Sequence, residues 1–378
     1  MGEKPTSMRP LPVSLYFMPE WWGRHYHTRF PRASQPSQTA LESMYLGRLR
    51  FLYEQFGNWG IGKENPALGG GQIATVLRHG YDTVPVLLGT TLDFGNAWGF
   101  FPRFRNIEEL RNLAPVDIRN HPEGQWIIDE KRRLDSLYGR STHCLDLGGV
   151  VNHAFRIVGE NIYADMLDCP GAVRDLFECI LQTMRWFFDF LETVFGGMDP
   201  VPVSNCNVTL MGPALYEELV LPFDARQNHF AAERSGVAPR AAVHHCDVPV
   251  DPFLGAYSRL PGLASMQASY RSDVAEAKHR LGCNFSAMIS PRALNADLSE
   301  FHMHLEKAIA AEVDDLAIWN VDPATDPDRL RTVLAIIDSV CRQYKRQSQY
   351  DPMPLCWEEI QWAHGAYRGA GLSGTAPE

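Results

Sequence analysis

The chain has 378 residues, 45% hydrophobic and 21% charged, which suits one large globular α/β unit. Lys and Arg number 35 against 45 Asp and Glu, so the net charge is −10; with no basic run, the chain is a poor fit to nucleic acid or to an anionic membrane. No stretch of about 18 apolar residues would span a bilayer, the start Met1-Gly2-Glu3-Lys4-Pro5-Thr6 lacks the apolar core of a signal peptide, and the eight cysteines form no paired framework, so the expected location is cytoplasmic.

In chain order, residues 1–12 read as an N-terminal arm and Val13 to Met18 as a buried strand. The strand runs into Pro19-Glu20-Trp21-Trp22-Gly23-Arg24. Either this loop holds a ligand with its carboxylate, guanidinium and indoles, or it packs over the fold with Glu20 and Arg24 paired to each other. Ser37 is placed to cap a helix ending near Gly57, because Leu41, Met44, Tyr45, Leu49, Leu52 and Phe56 keep helical spacing. Gly69-Gly70-Gly71 lacks the spacing of a phosphate-binding loop. Thr83 to Leu88 reads as the next strand and leads to Asp93, Trp98 and Phe101. Asp93 and Trp98 are site candidates by position, with a turn cap and a core tryptophan as the plainer alternatives.

Beyond a helix near 128–138, Thr142 to Leu147 reads as a strand and Pro170 to Phe195 as a long helix. Val201 to Asn207 reads as a strand ending in Asn205, Cys206 and Asn207. Further strands are expected up to His244, over Leu263–Ala268, Phe285–Ile289 and Leu316–Trp319, with helices between them, the last starting at Asp326-Pro327. Residues 345–378 read as a polar, partly disordered tail. About eight alternations of strand and helix imply parallel pairing and favour a single (β/α)8 barrel over residues 13–344.

Functional groups of such barrels lie at the C-terminal strand ends. There Ala241-Ala242-Val243-His244-His245-Cys246-Asp247 offers imidazole and thiolate, the side chains that bind zinc best. Strand alternation points His244 and Cys246 one way and His245 the other. Cys206 at the preceding strand end is the first companion and Glu20 the second. Either these groups hold a metal, or His244 and Cys246 are ordinary buried strand residues.

The run Met211-Gly212-Pro213-Ala214-Leu215-Tyr216-Glu217-Glu218 with Leu221-Pro222-Phe223, the His244-His245-Cys246-Asp247 strand, the stretch from Asp273 through Leu281-Gly282 to Ser290-Pro291, and Asp322-Pro323-Ala324-Thr325-Asp326-Pro327 together resemble the uroporphyrinogen decarboxylase superfamily over residues 80–340. The resemblance implies an α/β barrel. It is closer to the zinc- and cobalamin-dependent methyltransferase branch than to the decarboxylase proper, whose N-terminal basic loop would have only Arg24 and Arg29 here. That branch binds zinc through His-x-Cys and a later cysteine. His244 and Cys246 match the pair, whereas Trp319-Asn320 stands where the later cysteine is expected.

The expected activity is methyl transfer between a small substrate, such as a methoxy-aromatic compound or a thiol, and a corrinoid carried by a partner protein. Zinc would be held by His244, Cys246 and Cys206. Trp21, Trp22, Trp98 and Phe101 would wall the substrate, Arg24 would hold a carboxylate on it, and Glu20, Asp93 and Asn207 would complete the reactive set. The alternatives are a metal-free decarboxylase and a non-catalytic barrel that binds a tetrapyrrole or corrinoid.

Overall fold

The computed structural model describes residues 8–28, 37–68, 73–77, 79–93, 99–101, 104, 107–143, 148–196, 201–235, 241–246, 248–355 and 359–360. Trp98, Asp247, Cys144, Cys356 and Gly69-Gly70-Gly71 lie outside these residues.

Eleven strands occur among them: β1 (Arg9–Phe17), β2 (Thr75–Val76), β3 (Thr91–Asp93), β4 (Gly99–Phe101), β5 (Thr142–His143), β6 (Val201–Ser204), β7 (Ala241–His244), β8 (Leu263–Ser269), β9 (Asn284–Ile289), β10 (Asp315–Val321) and β11 (Arg346–Met353). Seven make one sheet in the order β11-β1-β10-β9-β8-β7-β6, parallel throughout. A parallel bridge from Gly148 to Ser204 extends the β6 edge. β2 pairs with β5, and β3 with β4, in two separate two-stranded sheets. The α/β class is thus as the alternation predicts, while the ladders among the described residues form an open run rather than a closed ring of eight.

Prolines fit this sheet because of where their missing donors fall. Arg9 N–H bonds to Lys345 C=O on the β11 side, which turns Pro10 and Pro12 toward the β10 side. There the β10 ladder begins only at Val13, so the prolines break no bond. In β6, Asn205 N–H faces β7, leaving Pro202 on the outer edge.

Three expectations are corrected. Thr83–Leu87 is a helix, not a strand. Thr83 Oγ1 donates to Gly80 C=O at 2.8 Å and Thr90 N–H reaches Pro85 C=O at 2.9 Å, while Pro85 sits in the first turn, where no intrahelical donor is needed. The arm predicted over residues 1–12 enters the sheet at Arg9. Arg346–Met353, predicted as tail, is β11, in register with β1 from Arg9↔Arg346 to Tyr16↔Met353. Arg346 is buried and donates to Val313 C=O at 2.5 Å and to Pro10 C=O at 3.2 Å, which anchors the strand.

The core lies between the sheet and its helices. Its largest member helix, Pro170–Phe195, buries Val173, Phe177, Ile180, Met184, Phe187 and Leu191 on one face. No described helix is long and apolar enough to cross a membrane.

Candidate metal centre

Alternation along β7 decides which histidine faces the site. Ala241, Val243 and His245 are buried on the helix side, whereas Ala242 and His244 are half-buried on the other. His245 is fully buried, its Nε2 is 2.5 Å from Tyr257 Oη, and burial, then the neighbouring His244, push its pKa down to about 3. It is a neutral core group. His244 and Cys246 share the opposite face, with His244 Nε2 3.4 Å from Cys246 Sγ.

The third member comes from the β6 end. Cys206 opens the short helical turn Cys206–Leu210, and its position is set by its neighbours. Asn205 N–H donates to His244 C=O at 2.8 Å, and its side-chain amide donates to Asp224 at 2.8 Å and Tyr257 at 3.2 Å. Asn207 N–H donates to Asn152 Oδ1 at 3.0 Å, and Asn207 C=O accepts from Tyr163 Oη at 3.1 Å. Asn207 therefore fixes the turn through its backbone. Gly149 lets Asn205 approach, since a Cβ there would stand 2.3 Å from Asn205 Oδ1.

The result is Cys246 Sγ 2.8 Å from Cys206 Sγ. One donor atom from each of Cys206, His244 and Cys246 lies within 4.8 Å of the others, a group that could hold a metal ion. The Cys246 thiol, then His244, hold the Cys206 thiol against the opposing effect of burial, down to about 4. A thiolate is the form that ligates metal. Cys246 is exposed, and each of the six described cysteines is a thiol rather than half of a disulfide.

Where a further cysteine is expected, Trp319 forms a wall. β10 sets two residues, Trp319 and Asn320, against Tyr16 of β1, a β-bulge between Leu15↔Ile318 and Phe17↔Val321. Asn320 takes φ 57°, in the left-handed region. Trp319 stacks on Tyr16 at 4.7 Å, and its ring lies 6.5 Å from the ring of His244.

The other predicted site residues lie on other elements. Glu20 and Arg24 lie on the helix Pro19–His25 directly after β1, Glu20 half-buried and Arg24 exposed. Glu20 is not in the donor group described above. Trp21 and Trp22 belong to the core rather than a substrate wall: both are fully buried, Trp21 donating to Thr325 C=O at 2.8 Å and Trp22 lying under the Arg48 guanidinium at 4.6 Å. Asp93 and Phe101 end β3 and β4, an antiparallel pair whose connection holds Trp98.

A separate cavity of about 630 Å³ opens at the C-terminal ends of β8, β9 and β10, lined by Arg271, Arg292, Asn295, Asp297, Glu300 and Asp322. Its acids are occupied. Asp297 accepts from the N–H groups of Ser299 and Glu300, Asp322 from those of Ala324 and Thr325, and Glu300 pairs with Arg271 at 3.1 Å.

Sequence reasoning missed Tyr16 and Gln267. Gln267 Oε1 lies 2.6 Å from His244 Nδ1. The available signal was a glutamine inside the apolar strand Leu263-Ala264-Ser265-Met266-Gln267-Ala268.

No family model matches the sequence, and no curated protein matches it. Among solved structures, a methyltransferase from Methanosarcina mazei aligns with TM-score 0.57 over 89% of this chain and 95% of that one, at 12% identity. A GH138 enzyme targeting pectin rhamnogalacturonan II aligns with TM-score 0.35 over 84% of this chain and 35% of that one, at 9% identity. At such identities the first alignment establishes a shared fold.

Proposed function

We propose that the chain is a zinc-dependent methyltransferase that moves a methyl group between a small substrate, such as a methoxy-aromatic compound or a thiol, and a corrinoid carried by a separate protein. The observation that carries this reading is the convergence of Cys206, His244 and Cys246 at the C-terminal end of a parallel sheet. The likeness in fold to a protein described as a methyltransferase supports it.

The donor set fits zinc. Two sulfurs and one imidazole nitrogen are a catalytic ligand set, and three protein donors leave a position open for substrate. When bound, zinc supplies Lewis acidity that stabilises negative charge developing on a substrate oxygen or sulfur.

The chain's own groups shape the rest. Trp319, braced by Tyr16, presents an apolar face beside His244. Asn152 and Tyr163 hold the Cys206 turn through Asn207. Arg24 is assigned to a substrate carboxylate, Glu20 and Asp93 to its orientation, and Phe101 and Trp98 to its apolar part. A cytoplasmic setting keeps the two ligand thiols reduced.

Elemental analysis of protein purified without chelator tests this directly. About one zinc per chain is expected, lost in Cys246→Ser together with methyl transfer to free cobalamin. A Cys246→Ser protein that keeps its metal and its activity would sink the proposal. Metal-free protein that releases carbon dioxide from a pyrrole carboxylate would favour a decarboxylase instead.

A further inference from the structure

Four consecutive strands of the sheet each place one polar residue at the same level. His244 of β7 is in register with Gln267 of β8, Gln267 with Ser286 of β9, and Ser286 with Asp315 of β10. Interior layers of barrel-type sheets are dominated by Val, Ile and Leu, so a polar rung across four strands departs from the pattern that packing alone produces. The residues flanking the rung in sequence, Met266 and Ala268, Phe285 and Ala287, are buried on the opposite face.

The rung is bonded from end to end. His244 Nδ1 lies 2.6 Å from Gln267 Oε1, Gln267 Nε2 donates to Ser286 Oγ at 3.1 Å, and the Ser286 hydroxyl donates to Asp315 Oδ1. Its direction follows from donor and acceptor chemistry. An ionised carboxylate only accepts, so Ser286 gives its one proton to Asp315 and must accept from Gln267. That turns the amide nitrogen of Gln267 toward Ser286 and its oxygen toward His244. The oxygen accepts, so His244 carries its proton on Nδ1, and Nε2, the atom beside Cys246 Sγ, is left bare.

We infer that Gln267, Ser286 and Asp315 are positioning residues that lock the tautomer and ring orientation of His244, so that Nε2 is presented as a metal-ligating lone pair. The inference rests on the proposed metal centre for its purpose, but the relay itself is a property of the metal-free protein. Ligating histidines are held in this way by an acceptor on their other nitrogen, and losing such a partner typically costs 10- to 100-fold in metal affinity.

The experiment has two readouts. In metal-free protein labelled with ¹⁵N-histidine, nitrogen shifts report which ring nitrogen of His244 carries the proton, with the resonance assigned by its loss in His244→Ala. Wild type is expected to show the proton on Nδ1. Gln267→Leu and Asp315→Asn should give mixed tautomers, the second without touching the histidine, and Gln267→Glu should restore the wild-type signal. Zinc affinity, by chelator competition, should fall roughly 10- to 100-fold in Gln267→Leu and recover in Gln267→Glu. An unchanged tautomer in both Gln267→Leu and Asp315→Asn overturns the relay, even if wild type binds zinc. A tautomer that shifts as expected in a protein with no zinc affinity keeps the relay and removes its metal purpose.

Discussion

Trp319 stacks on Tyr16 with ring centroids 4.7 Å apart and planes 13° apart, at the point where β10 bulges against β1. The stack holds an aromatic face beside His244, at the position where the sequence resemblance implies a cysteine. A double-mutant cycle on Tyr16→Leu and Trp319→Leu, read by urea unfolding, should give a coupling of about 0.5–1.5 kcal/mol. Because the Trp319 ring lies 6.5 Å from that of His244, zinc addition should change tryptophan fluorescence in wild type. Trp319→Leu should abolish that response while keeping the metal, since the indole is no ligand. A variant that loses zinc outright would contradict this role.

Asn320 completes the bulge with φ 57°, which asparagine tolerates better than a β-branched residue. Asn320→Gly should leave stability within about 0.5 kcal/mol of wild type, whereas Asn320→Val should cost about 1–3 kcal/mol. Equal unfolding midpoints for the two variants would remove backbone conformation as the reason for the asparagine.

The run of strands from β6 to β10, with Cys206 and His244-x-Cys246 at its ends, was legible because each segment is apolar and bounded by turn or cap residues. Two kinds of feature were not. β11 reads Arg346-Gln347-Ser348-Gln349-Tyr350-Asp351-Pro352-Met353, with no apolar pattern of its own; it exists through pairing with β1, a tertiary effect. Thr83-Val84-Pro85-Val86-Leu87 is too short for its period to separate strand from helix, and its first-turn proline favours the helix. The Gln267-Ser286-Asp315 rung is spread over three strands whose register no single stretch encodes. The Trp21-Trp22 pair sits beside a strand end, yet one turn of helix after β1 swings both indoles into the core.

Arg48 explains part of that burial. It is fully buried, lies over Trp22, and its guanidinium meets Glu359 at 2.5 and 2.7 Å while donating to Pro354 C=O at 2.9 Å and Thr28 C=O at 3.0 Å. Glu359 thus ties the chain after β11 to the helix Gln38–Phe56. Removing one partner strands a buried charge, so Glu359→Ala should cost about 3–5 kcal/mol in urea unfolding. Replacing both, as Arg48→Met with Glu359→Leu, should cost less than Glu359→Ala alone. A near-zero effect of Glu359→Ala would show that the pair is not held in solution.

His153 should make the fold acid-sensitive. It is fully buried in the helix Val150–Val158, and among the described residues neither ring nitrogen has a hydrogen-bond partner. Burial, then the charge of Arg156, push its pKa from 6.5 down to about 3, while the ring of Tyr81 packs 5.7 Å away. Above pH 6.5 the residue is neutral in both folded and unfolded chains, and its contribution to stability is fully present. As pH falls from 6.5 toward 3, the unfolded chain takes up a proton that the folded one refuses, so stability is lost at up to about 1.4 kcal/mol per pH unit. Between pH 7.5 and 4.5, wild type should therefore lose roughly 2–3 kcal/mol more than His153→Phe, which keeps a ring but cannot ionise. Urea midpoints at both pH values measure the difference. Parallel losses in the two proteins would mean that His153 reaches a proton in the folded state.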